Sequence, residues 1–187
     1  MTVIILQATD SQPPGSVYLL PASSPGKIFL FLYQMVYFCI GKCLAVMNKA
    51  ERTKQFIVEM TAPVFNEKGY SGTSLSDMTN ATGLTKGSIY GNFAGKDEVA
   101  MACFDYHLQK VNRIIHQEME KKESGRDKLL VYAHVYENFL KHPFPAGGCP
   151  ILNTATEADD THPLLKQKAI DAIQSWKSKI TAIIETG

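Results

Sequence analysis

The chain has 187 residues, with 19 Lys or Arg against 18 Asp or Glu, and its formal net charge is +1. Its length is enough to bury a core in one or two small domains, and its average charged and apolar content is that of a globular protein. The near-zero net charge excludes a broadly basic surface, so any affinity for nucleic acid has to come from placed contacts and from doubling in a dimer.

The first 46 residues show no pattern of a folded helical domain. Residues 1–27 are rich in Pro, Ser and Gly, and the apolar run at residues 28–40 is shorter than the roughly 20 residues of a membrane-spanning helix. We expect residues 1–46 to be an extension that is not part of the natural protein, because Met47 is a natural start for the helical part of the chain. Two alternatives stay open: an extra helix packed on the body, or a membrane anchor at residues 28–46.

An apolar stripe at three- and four-residue steps predicts the first helix over residues 48–68. Pro63 lies inside this stripe, and because its ring removes one backbone hydrogen bond we expect a kink or a break there. Gly69 is expected to end the helix, and Tyr70 is expected to pack back on the core.

Residues 74–93, SLSDMTNATGLTKGSIYGNF, predict two short helices joined by a tight turn. Ser74 has the position of an N-cap, and Gly83 supplies the left-handed residue that ends the first helix. Thr85 caps a second helix that is expected to run to about Phe93. Two short helices around a turn that contains Gly are typical of a helix-turn-helix, and an exposed second helix of this kind can enter the major groove of DNA.

Four motifs in this region, taken in order, resemble the N-terminal domain of the TetR family of transcriptional repressors. They are KGY at 68–70, TSLSDM at 73–78, TGLTKGSIYGNF at 82–93 and KDE at 96–98. The resemblance is strong from about Met47 to Cys103 and implies an all-α fold. It implies a helix-turn-helix DNA-binding domain at residues 47–95 and a helical effector-binding and dimerisation domain at residues 96–187. Family members usually continue through two more helices, so we expect this second domain to be incomplete.

The resemblance also implies a function. The protein would bind a pseudo-palindromic double-stranded DNA operator as a homodimer, and a small-molecule effector would release it. The small, hydroxyl and basic side chains that open the second helix would meet base edges, and their neighbours would hold phosphates. The candidate DNA-binding residues are Thr73 (through its backbone), Thr85, Lys86, Gly87, Ser88, Tyr90, Asn92 and Lys96. Gly91 departs from the family, where an aromatic residue or His often contacts a phosphate.

Four further helices are expected after the helix-turn-helix. They cover about 96–122, 127–141, 149–160 and 162–185. Residues 142–148 hold two Pro and two Gly, which excludes regular helix in the connection before the third of them. The stretch GGCPILNTATEADD, followed by HPLL, resembles one subgroup of the same family.

The second domain carries candidate residues for a pocket that takes an apolar effector. They are Tyr132, Tyr136, Phe139, Cys149 and Trp176. Cys149 has two interpretations: a buried structural Cys, or a reactive thiol sensor of electrophiles or oxidants at a helix N-terminus. His134 lies among apolar residues and is expected in the core or on a cavity wall. Glu157, Asp159 and Asp160 are expected on a solvated face or at a helix end.

The sequence contains no Gly-rich phosphate loop, no His-Glu-x-x-His motif and no nucleophile elbow, so we expect no enzyme, no cofactor and no metal site. The four Cys show no framework spacing, which favours the reducing cytoplasm. The leading hypothesis is therefore a cytoplasmic, ligand-responsive repressor. The alternatives are a helical small-molecule-binding protein whose first helices only pack, and a membrane-anchored sensor. An exposed Lys-Gly-Ser at residues 86–88 would distinguish the repressor from the first alternative, and fractionation of the native protein would distinguish it from the second.

Overall fold

The structure, a computed structural model, describes residues 48–137 and 144–186 together with the backbone of two short strands. Strands β1 (Ile4–Ile5) and β2 (Tyr18–Leu19) form one antiparallel pair. The expectations for an extra helix or a membrane anchor at residues 28–46 lie outside the described residues.

Contacts within the chain divide it into two compact units, residues 1–48 and residues 49–187. The second unit is all-α, as predicted, and its described part contains seven helices. They are α1 (Lys49–Gly72), α2 (Leu75–Thr82), α3 (Lys86–Tyr90), α4 (Lys96–Met119), α5 (Gly125–Glu137), α6 (Pro150–Ala158) and α7 (Pro163–Thr186). None of these helices has the combination of length and apolar character that crossing a bilayer requires.

Helix α1 departs from the prediction at Pro63, through which it continues in helical geometry. The expected break is therefore wrong: the carbonyl that loses its bond belongs to Glu59, an exposed residue, and the helix continues without that one hydrogen bond. A kink without a break stays a prediction. The backbone leaves helical geometry at Gly69 instead, with φ 73° and ψ 175°. Only Gly adopts such a conformation readily, so the predicted stop at Gly69 is confirmed, and α1 resumes for one short turn to Gly72.

Helix α3 is shorter than expected and ends at Tyr90 rather than near Phe93. Gly91 closes it, and its backbone N–H donates to the carbonyl of Gly87 at 2.9 Å. Turns occupy residues 91–95 up to the start of α4. The later helices begin within two residues of their expected positions.

One buried core crosses the expected domain boundary near residue 95. It contains residues of α1, α2 and α3 and residues of α4, α6 and α7. Its members are Ile57, Ala62, Phe65, Met78, Ile89, Phe93, Val99, Ala100, Cys103, Phe104, Ile151, Ala158, Leu165 and Ala172. A second cluster, built on Val111, Ile114, Ile115, Val131 and Val135, joins α4 to α5. The helix-turn-helix is therefore packed on the C-terminal helices and is not a separate body.

His107 of α4 lies in this interior with 3% of its surface exposed. Neither ring nitrogen has a hydrogen-bond partner among the described residues. Burial lowers the pKa of His107 below its ordinary value of 6.5, although the nearby carbonyl of Ala62 opposes the shift. The folded protein therefore holds His107 neutral at pH values where the unfolded chain takes up a proton.

This difference gives a pH dependence with a defined sign. Stability that depends on neutral His107 is complete above pH 6.5 and falls as the pH drops towards the lowered folded pKa. We expect His107→Gln, which does not titrate, to reduce the loss of unfolding free energy between pH 7.5 and pH 5. Urea unfolding at several pH values measures this loss. The control is His116→Gln, at a side chain that is 74% exposed. An unchanged slope in His107→Gln would contradict the assignment.

Candidate functional site

A network of polar contacts fixes α2 against the end of α1. The hydroxyl of Ser74 accepts from the backbone N–H of Asp77 at 3.1 Å, and the carboxylate of Asp77 accepts from the N–H of Ser74 at 2.8 Å. Lys68 donates to the same carboxylate at 2.5 Å. The hydrogen bond from Lys68 and those from Ser74 hold the pKa of Asp77 well below its usual range. The N-cap predicted at Ser74 is thus confirmed, Asp77 completes a capping pair with it, and the bond from Lys68 connects the two helices.

The turn between α2 and α3 is closed by its own backbone and side chains. Gly83 takes the left-handed conformation, with φ 67°, and its N–H donates to the carbonyl of Thr79 at 2.8 Å. The hydroxyl of Thr82 donates to the carbonyl of Met78 at 2.8 Å and accepts from the N–H of Leu84 at 3.2 Å. Leu84 packs half-buried against the core, so the turn has one defined geometry.

Helix α3 is fixed to the core by one buried residue and is exposed at its N-terminal turn. Ile89 is fully buried in the core, and the hydroxyl of Thr85 accepts from the N–H of Ser88 at 3.2 Å. Its N-terminal turn, which we call the reading tip (residues 85–88), has Thr85, Lys86 and Gly87 exposed and Ser88 half-buried. Lys86 has no hydrogen-bond or ion-pair partner within the part of the chain that the structure describes. Its charge is therefore available to a partner molecule.

The fold gives no structural reason for a Gly at position 87. A Cβ built on it would contact only the hydroxyl oxygen of Thr85, at 3.9 Å, which is an ordinary van der Waals distance. Gly inside a helix destabilises the fold by roughly 0.5–1 kcal/mol relative to Ala. The protein thus leaves space above the reading tip where its own packing would accept a side chain.

The remaining candidate DNA-binding residues differ in their accessibility. Tyr90 is half-buried against the core, and the side-chain amide of Asn92 donates to the carbonyl of Ser88 at 2.8 Å. The ammonium of Lys96 lies 4.3 Å from the centroid of the Tyr70 ring. Thr73 has no exposed surface, and its N–H donates to the carbonyl of Tyr70 at 3.4 Å. Tyr90, Asn92 and Lys96 are therefore partly accessible. The expected phosphate contact through the backbone of Thr73 is wrong, because this residue is fully enclosed and its N–H already donates within the protein.

The candidate effector residues of the second domain come together around Trp176. The rings of Tyr132 and Tyr136 lie edge-on to Trp176, with centroids 5.7 and 5.8 Å away. Phe144, which the sequence did not single out, lies 5.3 Å from Tyr136. The hydroxyl of Tyr136 lies 3.3 Å from Sγ of Cys149. We call these five residues the aromatic cluster; Phe139 lies outside the described residues.

The structure shows where Cys149 and His134, two residues singled out from the sequence, lie. Cys149 is the N-cap of α6, with Sγ accepting from the N–H of Leu152 at 3.5 Å, and it is half-buried. The expectation that His134 lies in the core or on a cavity wall is wrong, because α5 turns this residue to the exposed side. In the two described stretches of helical chain, no three His, Cys, Asp or Glu side chains are grouped as metal ligands.

Sequence reasoning missed one polar contact region, where α6 meets α1. Glu157 does not lie on a solvated face; its carboxylate accepts from the backbone N–H groups of Tyr70 and Ser71. Asn153 and Asn66 form a second set of bonds beside it. These partners are more than 80 residues apart in the chain, so no local pattern could reveal them.

Two family descriptions match the chain. Residues 57–103 match "Bacterial regulatory proteins, tetR family", and residues 125–187 match "Tetracyclin repressor-like, C-terminal domain". Among named relatives, the uncharacterised HTH-type transcriptional regulator YezE of Bacillus subtilis is 27% identical over 110 residues, 57% of each chain. The negative transcriptional regulator IcaR of the icaADBC biofilm operon in Staphylococcus aureus is 32% identical over 88 residues, 45% of this chain and 44% of IcaR. The chain spans about half the length of the curated relatives it matches.

A solved structure gives a fuller match. The TetR-family transcriptional regulator from Cytophaga hutchinsonii superposes with a TM-score of 0.73 at 51% sequence identity. The match covers 75% of this chain and 70% of the Cytophaga protein. The resemblance predicted from the motifs at residues 68–98 is confirmed, and the chain belongs to the TetR family.

Proposed function

We propose that the protein is a ligand-responsive transcriptional repressor that binds a pseudo-palindromic DNA operator as a homodimer. The observation that carries this proposal is the reading tip, which is exposed at Thr85, Lys86 and Gly87 and carries a lysine without a partner in the described chain. A hairpin that served packing alone would not need such a surface. Repression is favoured because the relative IcaR is named as a negative regulator.

The side chains of the tip suit a major groove. In a dimer two reading tips would enter successive major grooves about 34 Å apart. Lys86 would contact a phosphate or the acceptor edge of a guanine, and the hydroxyls of Thr85 and Ser88 would contact base edges or phosphates. Gly87 would let the DNA surface approach the helix backbone closely. Around the tip, Tyr90, Asn92 and Lys96 would hold the sugar–phosphate backbone.

We assign the reading function to residues 47–95 and the effector function to residues 96–187. The aromatic cluster would receive a small apolar effector, because its edge-on rings offer apolar faces and the Tyr136 hydroxyl and Cys149 thiol offer polar contacts. The effector would favour a conformation in which the two reading tips no longer fit the operator. Such a regulator would work in the cytoplasm, where the DNA is.

Replacing Lys86 tests the reading tip. DNA fragments that the protein selects from the source genome provide the operator, and gel-shift titration at fixed salt gives the affinity. We expect Lys86→Ala to weaken binding by about tenfold or more, since one contact of this kind contributes about 1–3 kcal/mol. The matched control is Lys179→Ala, at an exposed lysine of α7, which should bind like the wild type. Equal affinities for all three proteins would refute the assignment of the reading tip.

Gly87→Ala is expected to raise the stability of the fold and to lower its affinity for DNA. The fold should become more stable by about 0.4–1 kcal/mol, because an added methyl meets no close atom and Ala favours the helix. DNA binding should weaken, because the methyl occupies the space proposed for the DNA. Urea unfolding and gel shift measure the two effects. Gly72→Ala, which meets only the Cβ of Lys68 at 3.5 Å, is the control away from the tip. Unchanged DNA affinity in Gly87→Ala would count against close approach.

Trp176 gives a direct signal for the effector site, because it is the single Trp of the chain. We expect small apolar compounds that release the protein from DNA to change the fluorescence of Trp176. Tyr132→Ala, which removes a ring from the aromatic cluster, should weaken their binding. Phe56→Ala, which removes an exposed ring of α1, should not. A releasing compound that leaves Trp176 emission unchanged and binds Tyr132→Ala normally would place the effector elsewhere.

A further inference from the structure

Helix α6 contacts α1 at the point where the helical geometry of α1 is interrupted. The positive φ of Gly69 separates the N–H groups that come after it from the normal carbonyl acceptors of the helix. The N–H of Tyr70 donates to Oε2 of Glu157 at 2.7 Å, and the N–H of Ser71 donates to Oε1 at 2.8 Å. A single carboxylate therefore caps the short last turn of α1 through two charge-assisted hydrogen bonds.

The contact with Glu157 gives a second reason for Gly at position 69. A Cβ built on this residue would collide with the carboxylate of Glu157. Position 69 thus requires Gly both for its backbone conformation and for the close approach of α6. Neither requirement comes from DNA or from an effector, so the contact belongs to the resting architecture of the protein.

One turn before Glu157 on α6, Asn153 makes a second set of bonds to α1. Its side-chain amide donates to the carbonyl of Asn66 at 3.1 Å and to the carbonyl of Gly147 at 2.9 Å. The amide of Asn66 donates in turn to the carbonyls of Ala146 and Gly148, at 2.5 and 3.0 Å. A Cβ on Gly147 would lie 2.9 Å from the backbone of Asn66. The loop that precedes α6 is therefore seated directly on α1.

The other end of α6 reaches the aromatic cluster. Cys149 is the N-cap of α6, and its Sγ lies 3.3 Å from the hydroxyl of Tyr136. A helix of nine residues is about 14 Å long and moves as a stiff element. Helix α6 thus connects Tyr136 and Cys149 at one end with Asn153 and Glu157 towards the other.

We infer that Glu157, supported by Asn153, is a positioning residue that sets the orientation of the helix-turn-helix relative to α5–α7. This inference rests on the proposed repressor function and names a residue that fixes the geometry of its DNA-binding helices. Glu157 joins α6 to Tyr70 and Ser71 at the end of α1. The next capping residues along the chain, Ser74 and Asp77, connect this point to α2 and through α2 to the reading tip.

The test compares Glu157→Gln with Asp159→Asn in the full chain. In Glu157→Gln one carboxylate oxygen becomes an amide group that cannot accept, so one of the two backbone N–H groups loses its partner. Asp159→Asn removes the same charge two residues away, where the carboxylate pairs with Lys166 at 2.8 Å. We expect the amide of Tyr70 or Ser71 to exchange its hydrogen about tenfold faster in Glu157→Gln, as loss of a charge-assisted bond predicts, and not in Asp159→Asn.

A second readout separates positioning from local stability. Residual dipolar couplings measure the orientation of α2 and α3 relative to α5–α7 without any DNA. We expect them to change in Glu157→Gln while the unfolding temperature stays close to that of Asp159→Asn, and we expect the affinity for selected DNA to fall by about fivefold or more. Unchanged exchange and couplings, or changed couplings with unchanged DNA affinity, would overturn the inference. If the wild type binds no selected DNA, the repressor proposal fails, and the couplings still decide whether Glu157 sets the orientation.

Discussion

The burial of Ile89 beneath the five-residue helix α3 is the contact on which the reading tip depends. A helix this short has no stability of its own in water, because nucleation costs more than its few hydrogen bonds return. Ile89 has no exposed surface, and Phe93, one turn later, has 5%. Because Ile89 fixes α3 to the core, Thr85, Lys86 and Gly87 at its N-terminal turn face solvent in one geometry. A preorganised surface of this kind loses little conformational entropy on binding.

The same core extends into the C-terminal helices, and this continuity shapes how the protein can be regulated. Phe65 and Met78 of the first three helices share a cluster with Phe104 of α4, Ile151 of α6 and Leu165 of α7. A close-packed interior transmits displacement instead of absorbing it. A displacement of α6 or α7 would therefore reach α1–α3 through this core, and the polar bonds between α6 and α1 add a directional contact.

Much of the fold can be predicted from local sequence signals. The capping pair at Ser74, the left-handed Gly83 and the stop at Gly69 each act over a few residues, and each is where the sequence places it. Ile89 is the residue of α3 that the core buries, and the exposed residues 85–87 form the N-terminal turn of this helix. The features that the sequence did not predict depend on contacts between distant parts of the chain. Glu157 finds its partners 86 and 87 residues away, and the orphaned nitrogens of His107 depend on packing from several helices. The exposure of His134 depends on which side of α5 the neighbouring helices cover.

The central claim is that the reading tip is the surface that meets DNA, and amide chemical shifts of the full chain titrated with a selected operator fragment test it most directly. The account predicts that the largest shift changes fall at residues 85–88, with smaller changes at Tyr90, Asn92 and Lys96 and at the α1–α6 contact. Changes confined to α5–α7, or signals at residues 85–88 that stay unmoved at saturating DNA, would contradict it.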